Sequence, residues 1–285
     1  MLHTRLGLLL IAAFAATSAA SAQPLRINGS TTVNPVVVDA AELLRAEKKA
    51  TIFVDTQGGS SGGIAALGEG RAEIGMISRE LEPDDSKKFP GVHFLATRIG
   101  IDALALVVSK DVWDGGVKVL SRSQVQEIYE GKITNWKAVG GPDRRIVFFN
   151  KEPGRGTWES FAKWLYGDPK KAPDVSHPEV GANEEGRNKV ASTPGSITQL
   201  SAAWADQKTV FGVAIRRGDG KVVSPTLAAI ADGSYPITRP LQVVTDGPPK
   251  GLAKEMVDLL LSPRGQALLE KHGYLKNPGA GPKGK

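Results

Sequence analysis

From Pro24 to Ser78 the chain spells one unit twice: a short apolar run, a loop of Gly, Ser and Thr, then a stretch with helical spacing. "PLRING" reads as a strand running into "GSTT", and "NPVVVDAAELLRAEKK" follows as a helix with one apolar face. "ATIFVDT" repeats the strand, "GGSSGG" the loop and "SGGIAALGEGR" the helix, and "AEIGMIS" opens a third strand. Strands joined through helices lie parallel, because a parallel neighbour is out of reach of a tight hairpin. Ligands of such sheets sit at the carboxyl ends of the strands, where both loops fall. The expectation is an α/β protein with its site at those loops.

Further along, "RIGIDALALVVSK" (98–110) is apolar without helical periodicity and reads as a buried strand, a candidate to cross between two lobes. "SRSQVQEIYEGKITNW" reads as a helix capped by Ser121 or Ser123, and "RRIVFFNKEPGRGTWESFAKWLYG" as strand, loop and helix again. The stretch 168–188, rich in Pro, Gly and charge, reads as an irregular surface excursion. "TVFGVAI" is a strand suited to carry the chain back, and "KEMVDLLLSPRGQALLEKHGYL" is two helices broken at Ser-Pro. The tail "NPGAGPKGK" has almost no apolar content and is expected to be disordered.

The first residues, "MLHTRLGLLLIAAFAATSAASAQ", have Arg5 in a short basic start, an apolar run, and small residues ending in Ala20-Ser21-Ala22. This is the form of a secretory leader cleaved after Ala22, so the mature chain is expected outside the cytoplasm, with no spanning helix. Cysteine is absent, which removes both disulfides and a lipidated cysteine anchor. The formal charge of +6 is spread among interleaved acids and bases. A nucleic-acid binder would show a basic cluster or a known module, and neither is found. Three dispersed histidines in the mature chain give no metal-ligand spacing, so no metal or cofactor is expected.

Three loops share one composition ahead of a helix: Ser30, Thr31 and Thr32; Ser60 and Ser61; and Gly154, Arg155, Gly156 and Thr157, the last with Lys151 before it. Each joins free helix-start N–H groups to hydroxyls and flexible glycine, the donors an oxyanion needs. Ser, Thr and Gly are also ordinary capping residues. Ser78 and Arg79, just beyond a strand, extend the set. Arg79 suits a bidentate oxyanion contact, and a surface pair with Glu80 or Glu82 accounts for it equally well. Gly58-x-Ser60-x-Gly62 has the spacing of a nucleophile elbow. His93, His177 and His272 follow it in no recognisable context, and binding by Ser60 is favoured over attack.

With these loops in view, the chain resembles the periplasmic phosphate-binding proteins of phosphate ABC transporters. The markers run from about Leu25 to Leu275: "INGSTTVNP", "GGSSGGIAAL", "AEIGMISRELE", "YEGKITNW", "GRGTWESF", "YPITRPL" and "SPRGQALLEKHGYL". The resemblance implies a type II periplasmic binding fold: two α/β lobes joined by two crossing strands, with the anion between them and no enzymatic activity. The boundaries expected are 1–22 for the leader, 23–103 plus 235–276 for one lobe, 104–234 for the other, and 277–285 for the tail. It implies a monomer in the periplasm that captures inorganic phosphate and delivers it to a membrane ABC permease. Another tetrahedral oxyanion, a sensing or attachment role, and a secreted Ser60 hydrolase remain as alternatives.

Carried over by position, Thr31 and Thr32 match the first ligand loop and Ser60 the second. The family's third loop is usually Arg-x-x-Gly-Ser-Gly-Thr, and here Lys151 stands at the arginine and Arg155 at the serine. A point charge thus replaces a rigid fork, and a new guanidinium enters four residues later. One branch of the family has an aspartate where Arg79 stands. Such a carboxylate accepts the proton that hydrogen phosphate carries and sulfate lacks. Asp102, on the expected crossing strand, is the candidate substitute; a structural pair for a buried aspartate is the other reading.

Overall fold

The computed structural model describes residues 23–279. The leader expected over 1–22, its cleavage point and the last residues of the tail lie outside the described residues. The opening alternates β1 (Leu25–Gly29), α1 (Asn34–Lys48), β2 (Ile52–Asp55), α2 (Gly59–Gly68) and β3 (Ile74–Ile77). β1 pairs in parallel with β2 on one side and β3 on the other. α1 buries Val36, Val37, Ala40, Ala41 and Leu44 against this sheet, one face of a 3.6-residue period. The glycines around Ser60 let α2 lie almost on the strands. A Cβ at Gly63 would stand 2.7 Å from the Asn28 carbonyl oxygen, and one at Gly75 2.9 Å from that of Gly63.

After α3 (Pro83–Lys88) comes β4 (Phe94–Ser109), sixteen residues long and serving two neighbourhoods. The chain then forms α4 (Lys110–Asp114), β5 (Val119–Ser121), α5 (Arg122–Tyr129), β6 (Val147–Lys151) and α6 (Gly156–Tyr166). β7 (Glu179–Val180), α7 (Asn183–Ser192), β8 (Ser196–Ser201), β9 (Val210–Gly212), β10 (Ala214–Arg216), β11 (Val222–Val223) and α8 (Leu227–Ala231) follow. β12 (Thr238–Asp246), α9 (Gly251–Leu261), α10 (Pro263–Lys271) and β13 (Leu275–Lys276) complete the chain. Ser121 caps α5, accepting from the Gln124 amide.

β4 is antiparallel to β12 from Phe94 to Ala103, then to β8 and β9 from Leu104 to Ser109. The apolar residues divide at the same point. Ile99 joins Leu25, Val36, Ile74, Leu241 and Leu260 in one core, while Leu104 joins Leu120, Trp136, Phe148, Ile197 and Ile237 in another. The fold is therefore two α/β lobes crossed by β4 and β12, the type II arrangement.

Three expectations change. "TVFGVAI" does not return the chain: Val210–Gly212 pairs with the far end of β4 inside the second lobe, and β12 makes the return. β12 escaped notice because Arg239 and Pro240 interrupt its apolar run. The excursion at 168–188 also contains β7 and the start of α7, whose few buried positions leave little periodicity to read. In the tail, Asn277 is tied down rather than loose, its amide donating to Gln266 and its side chain to the Arg98 carbonyl.

Candidate anion site

β12 delivers an arginine to the centre of the molecule. Arg239 is the register partner of Asp102 across the crossing strands. Both are buried, at 4% and 2% exposure. Asp102 Oδ2 accepts from Nε at 2.9 Å and from Nη2 at 2.8 Å, while Oδ1 accepts from the Ser201 hydroxyl at 2.8 Å. Burial pushes the Asp102 carboxyl up, and the Arg239 charge with its hydrogen bonds pulls it back. Nη1 donates to Thr157 Oγ1 at 2.8 Å, and Nη2 also to Thr32 Oγ1 at 3.2 Å. Among the described residues these bonds occupy four of the five N–H groups of the guanidinium, leaving one on Nη1.

The three loops meet beside it. Ser30 Oγ accepts from the Thr32 and Val33 amides at the approach to α1 and donates to Ser78 Oγ at 3.0 Å. Ser60 Oγ accepts from the Ser78 amide at 3.1 Å. The first residue of α6 presses onto this pair from the opposite lobe. A Cβ at Gly156 would stand 2.4 Å from Ser60 Oγ and 2.8 Å from Ser78 Oγ, so that contact requires glycine. The starts of α1, α2 and α6, the hydroxyls of Ser30, Thr32, Ser60, Ser78 and Thr157, and the Arg239 guanidinium converge on one place. Such a set of donors and positive helix ends has the chemistry to hold a tetrahedral oxyanion. Thr31 lies half-buried beside it.

It is not arranged for attack. Ser60 Oγ is engaged by a backbone amide, and His177 and His272 are bonded elsewhere, to the Tyr129 carbonyl and to Asp39.

Four charged residues expected at the ligand have other partners. Asp102 is not a free acceptor, since both its oxygens serve Arg239 and Ser201. Arg79 is clamped by Asp85, at 2.7 and 2.9 Å, and pairs across the lobes with Glu159; neither Glu80 nor Glu82 supplies the carboxylate. A guanidinium this buried requires such partners. Arg155 gives Nε and Nη2 to Glu152 Oε2 at 2.9 and 2.6 Å. Its side chain is wedged where a Cβ at Gly59 or at Gly181 would come within 2.6 Å of it.

Lys151, 1% exposed, donates to the carbonyls of Gly181 and Ala182 at 3.0 and 2.7 Å. Burial, and then the neighbouring Arg155 charge, bring its ammonium down to about 7. These bonds fix the approach to α7 and thereby Asn183, whose Nδ2 donates to Thr32 Oγ1 across the cleft at 2.9 Å. Arg239 and Asn183 are absent from the residues expected at the site. A lone arginine in a strand-like run within "YPITRPL" was the available signal for Arg239; Asn183 had none.

Ser61 joins the lobes twice, its amide donating to the Gly154 carbonyl at 3.0 Å and its hydroxyl to Glu159 at 3.3 Å. Beside Arg239 a cavity of about 840 Å³ opens between α3 and α6, lined by Arg79, Glu82, Trp158 and Lys163 among others. Lys163–Glu82 and Lys170–Asp84 ion pairs span it at 3.5 and 2.5 Å.

The sequence profile described as a PBP superfamily domain matches residues 15–264. Phosphate-binding protein PstS of Bacillus subtilis (strain 168) is 32% identical over 259 residues, covering 88% of this chain and 80% of that protein. A crystal structure from Clostridium perfringens, described as a phosphate ABC transporter substrate-binding protein with bound phosphate, aligns with a TM-score of 0.78 at 30% identity. The alignment covers 90% of this chain and 100% of that one. An ABC-type phosphate transport receptor from Vibrio cholerae aligns with a TM-score of 0.69 at 27% identity, over 89% and 100% of the two chains.

Proposed function

The chain belongs to the PstS family of phosphate-binding proteins, within the PBP superfamily, and from that premise we propose that it captures inorganic phosphate between its lobes for uptake by an ABC transporter. The observation that carries this reading is Arg239, held by Asp102 on the crossing strands and aimed at Thr32 of one lobe and Thr157 of the other. An oxyanion bound there takes the remaining Nη1–H, the hydroxyls of Thr32, Ser60 and Thr157, and backbone amides at Thr31 and the start of α6. Each such charge-assisted bond contributes about 1.5–3 kcal/mol. The ligand bridges the lobes, so binding and closure are one event.

The protein works as a binding protein and not as an enzyme. The lobes span 23–103 plus 235–276 and 104–234, with Ala103, Tyr235 and Ile237 at the crossing packed into the core of the second. The leader directs export, cleavage after Ala22 releases a monomer into the periplasm, and the closed form docks on a membrane ABC permease.

One observation favours a second reading, capture of a different tetrahedral dianion. Asp102, the carboxylate expected to accept the ligand's proton, is occupied by Arg239 and Ser201. Calorimetry of the mature protein with phosphate, sulfate, arsenate and molybdate decides between them. Phosphate is expected to bind tightest; sulfate or molybdate binding more tightly would replace the phosphate assignment.

A further inference from the structure

Donors alone do not choose phosphate over sulfate, because both offer oxygens to the same N–H and O–H groups. Near neutral pH phosphate carries at least one P–O–H and sulfate carries none, so selection needs an acceptor aimed at the ligand. The nearby carboxylates are committed: Asp102 to Arg239 and Ser201, Glu159 to Arg79 and Ser61, Glu152 to Arg155, and Glu185 to the Gly181 amide.

Resting on the phosphate reading above, we propose that Asn183 is the specificity-determining residue, its Oδ1 accepting the proton of the bound phosphate. Asn183 is 1% exposed, and its Oδ1 is buried without a hydrogen-bond partner among the described residues. Its Nδ2 donates to Thr32 Oγ1, which also receives Arg239 Nη2. The amide therefore lies against the same hydroxyl as the guanidinium, inside the ring of donors. When Thr32 gives its one hydroxyl hydrogen to the anion, its oxygen accepts from both neighbours. That fixes Nδ2 toward Thr32 and turns Oδ1 to the ligand. Lys151 keeps the amide there through the Gly181 and Ala182 carbonyls.

Buried polar atoms are nearly always paired, so a missing partner at a binding site points to a ligand atom. Asn28 also has an unpaired Oδ1, but its Nδ2 bonds the Gln57 and Gly62 carbonyls under α2. A sulfate oxygen placed against Asn183 Oδ1 would set two acceptors face to face. A site built to meet a hydroxyl rejects the analogue that lacks it.

The test is calorimetry of the mature protein with phosphate and with sulfate, for wild type, Asn183→Ala and Asn183→Asp, with thermal melts to confirm folding. Wild type is expected to prefer phosphate, and Asn183→Ala to reduce the phosphate-to-sulfate ratio at least ~tenfold, chiefly through phosphate. Asn183→Asp is expected to cost sulfate at least ~tenfold more affinity than phosphate through like-charge contact. It decides the matter if the alanine variant does not fold. Equal loss of both anions in Asn183→Ala, or an unchanged phosphate-to-sulfate ratio in Asn183→Asp, overturns the proposal while the phosphate reading stands. A wild type that binds sulfate and not phosphate overturns both.

Discussion

Arg239 and Asp102 stand opposite each other in register on the two strands that connect the lobes, and one carboxylate oxygen holds two N–H groups on one edge of the guanidinium. The cation is thus fixed to the strands that join the lobes, while its other N–H groups reach Thr32 of one lobe and Thr157 of the other. Removing one member of a buried pair strands the other charge, at a cost of about 3–5 kcal/mol. Asp102→Asn is expected to lower the urea midpoint and weaken phosphate through a loosened Arg239. The phosphate-to-sulfate ratio should stay put; a collapsed ratio would restore Asp102 as the proton acceptor.

Ser60 receives a hydrogen bond from the Ser78 amide, which leaves its own hydrogen to donate to an anion. Ser60→Ala is expected to weaken phosphate binding by about 1.5–3 kcal/mol, the range for a bond to a charged group. A fluorophosphonate probe should leave Ser60 unlabelled. Stoichiometric labelling, blocked by the alanine change, would establish a nucleophile.

Gly156 makes its close contact only when the lobes meet, since Ser60 and Ser78 belong to the other side. An added methyl there opposes closure without disturbing either core. Overpacking of this kind costs about 1–3 kcal/mol, so Gly156→Ala should bind phosphate roughly tenfold or more weakly at unchanged melting temperature. Small-angle scattering with saturating phosphate should show a larger radius of gyration than wild type. Identical radii and affinities would mean that the loops do not approach this closely in solution.

Lys151 supplies a pH dependence whose sign can be worked out. Its ordinary value is 10.5 and its folded value about 7, so the unfolded chain takes up this proton first as pH falls. Between those values the unfolded state binds more protons, and Lys151 removes stability as pH drops from about 10.5 toward about 7. Below that window the penalty is constant. In urea unfolding, Lys151→Met should compare more favourably with wild type at pH 7 than at pH 10. A difference independent of pH would show that the amine is as easily charged inside as in water.

Much of the frame was legible because it is local. Strand, Gly/Ser/Thr loop and helix recur within a few dozen residues, and Ser30, Thr32, Ser60 and Thr157 are named by their loops. What escaped depends on pairing between distant segments. Asp102 looked like a free carboxylate because its partner lies 137 residues away, joined by strand register that no local pattern encodes. Arg79 looked available because Asp85 and Glu159 converge on it only after α3 and α6 have packed. Asn183 was hidden by the short, polar helix it begins; its neighbours Glu184 and Glu185 suggest a solvated surface, while the residue itself is buried.

β4 runs unbroken from the sheet of one lobe into that of the other, lending Ile99 to the first core and Leu104 to the second. Neither lobe owns a complete sheet. Melting either one strips the other of a central strand, so the chain should come apart in a single cooperative transition rather than lobe by lobe. The strands that cross between the lobes beside the cleft are also what makes the two halves one folding unit.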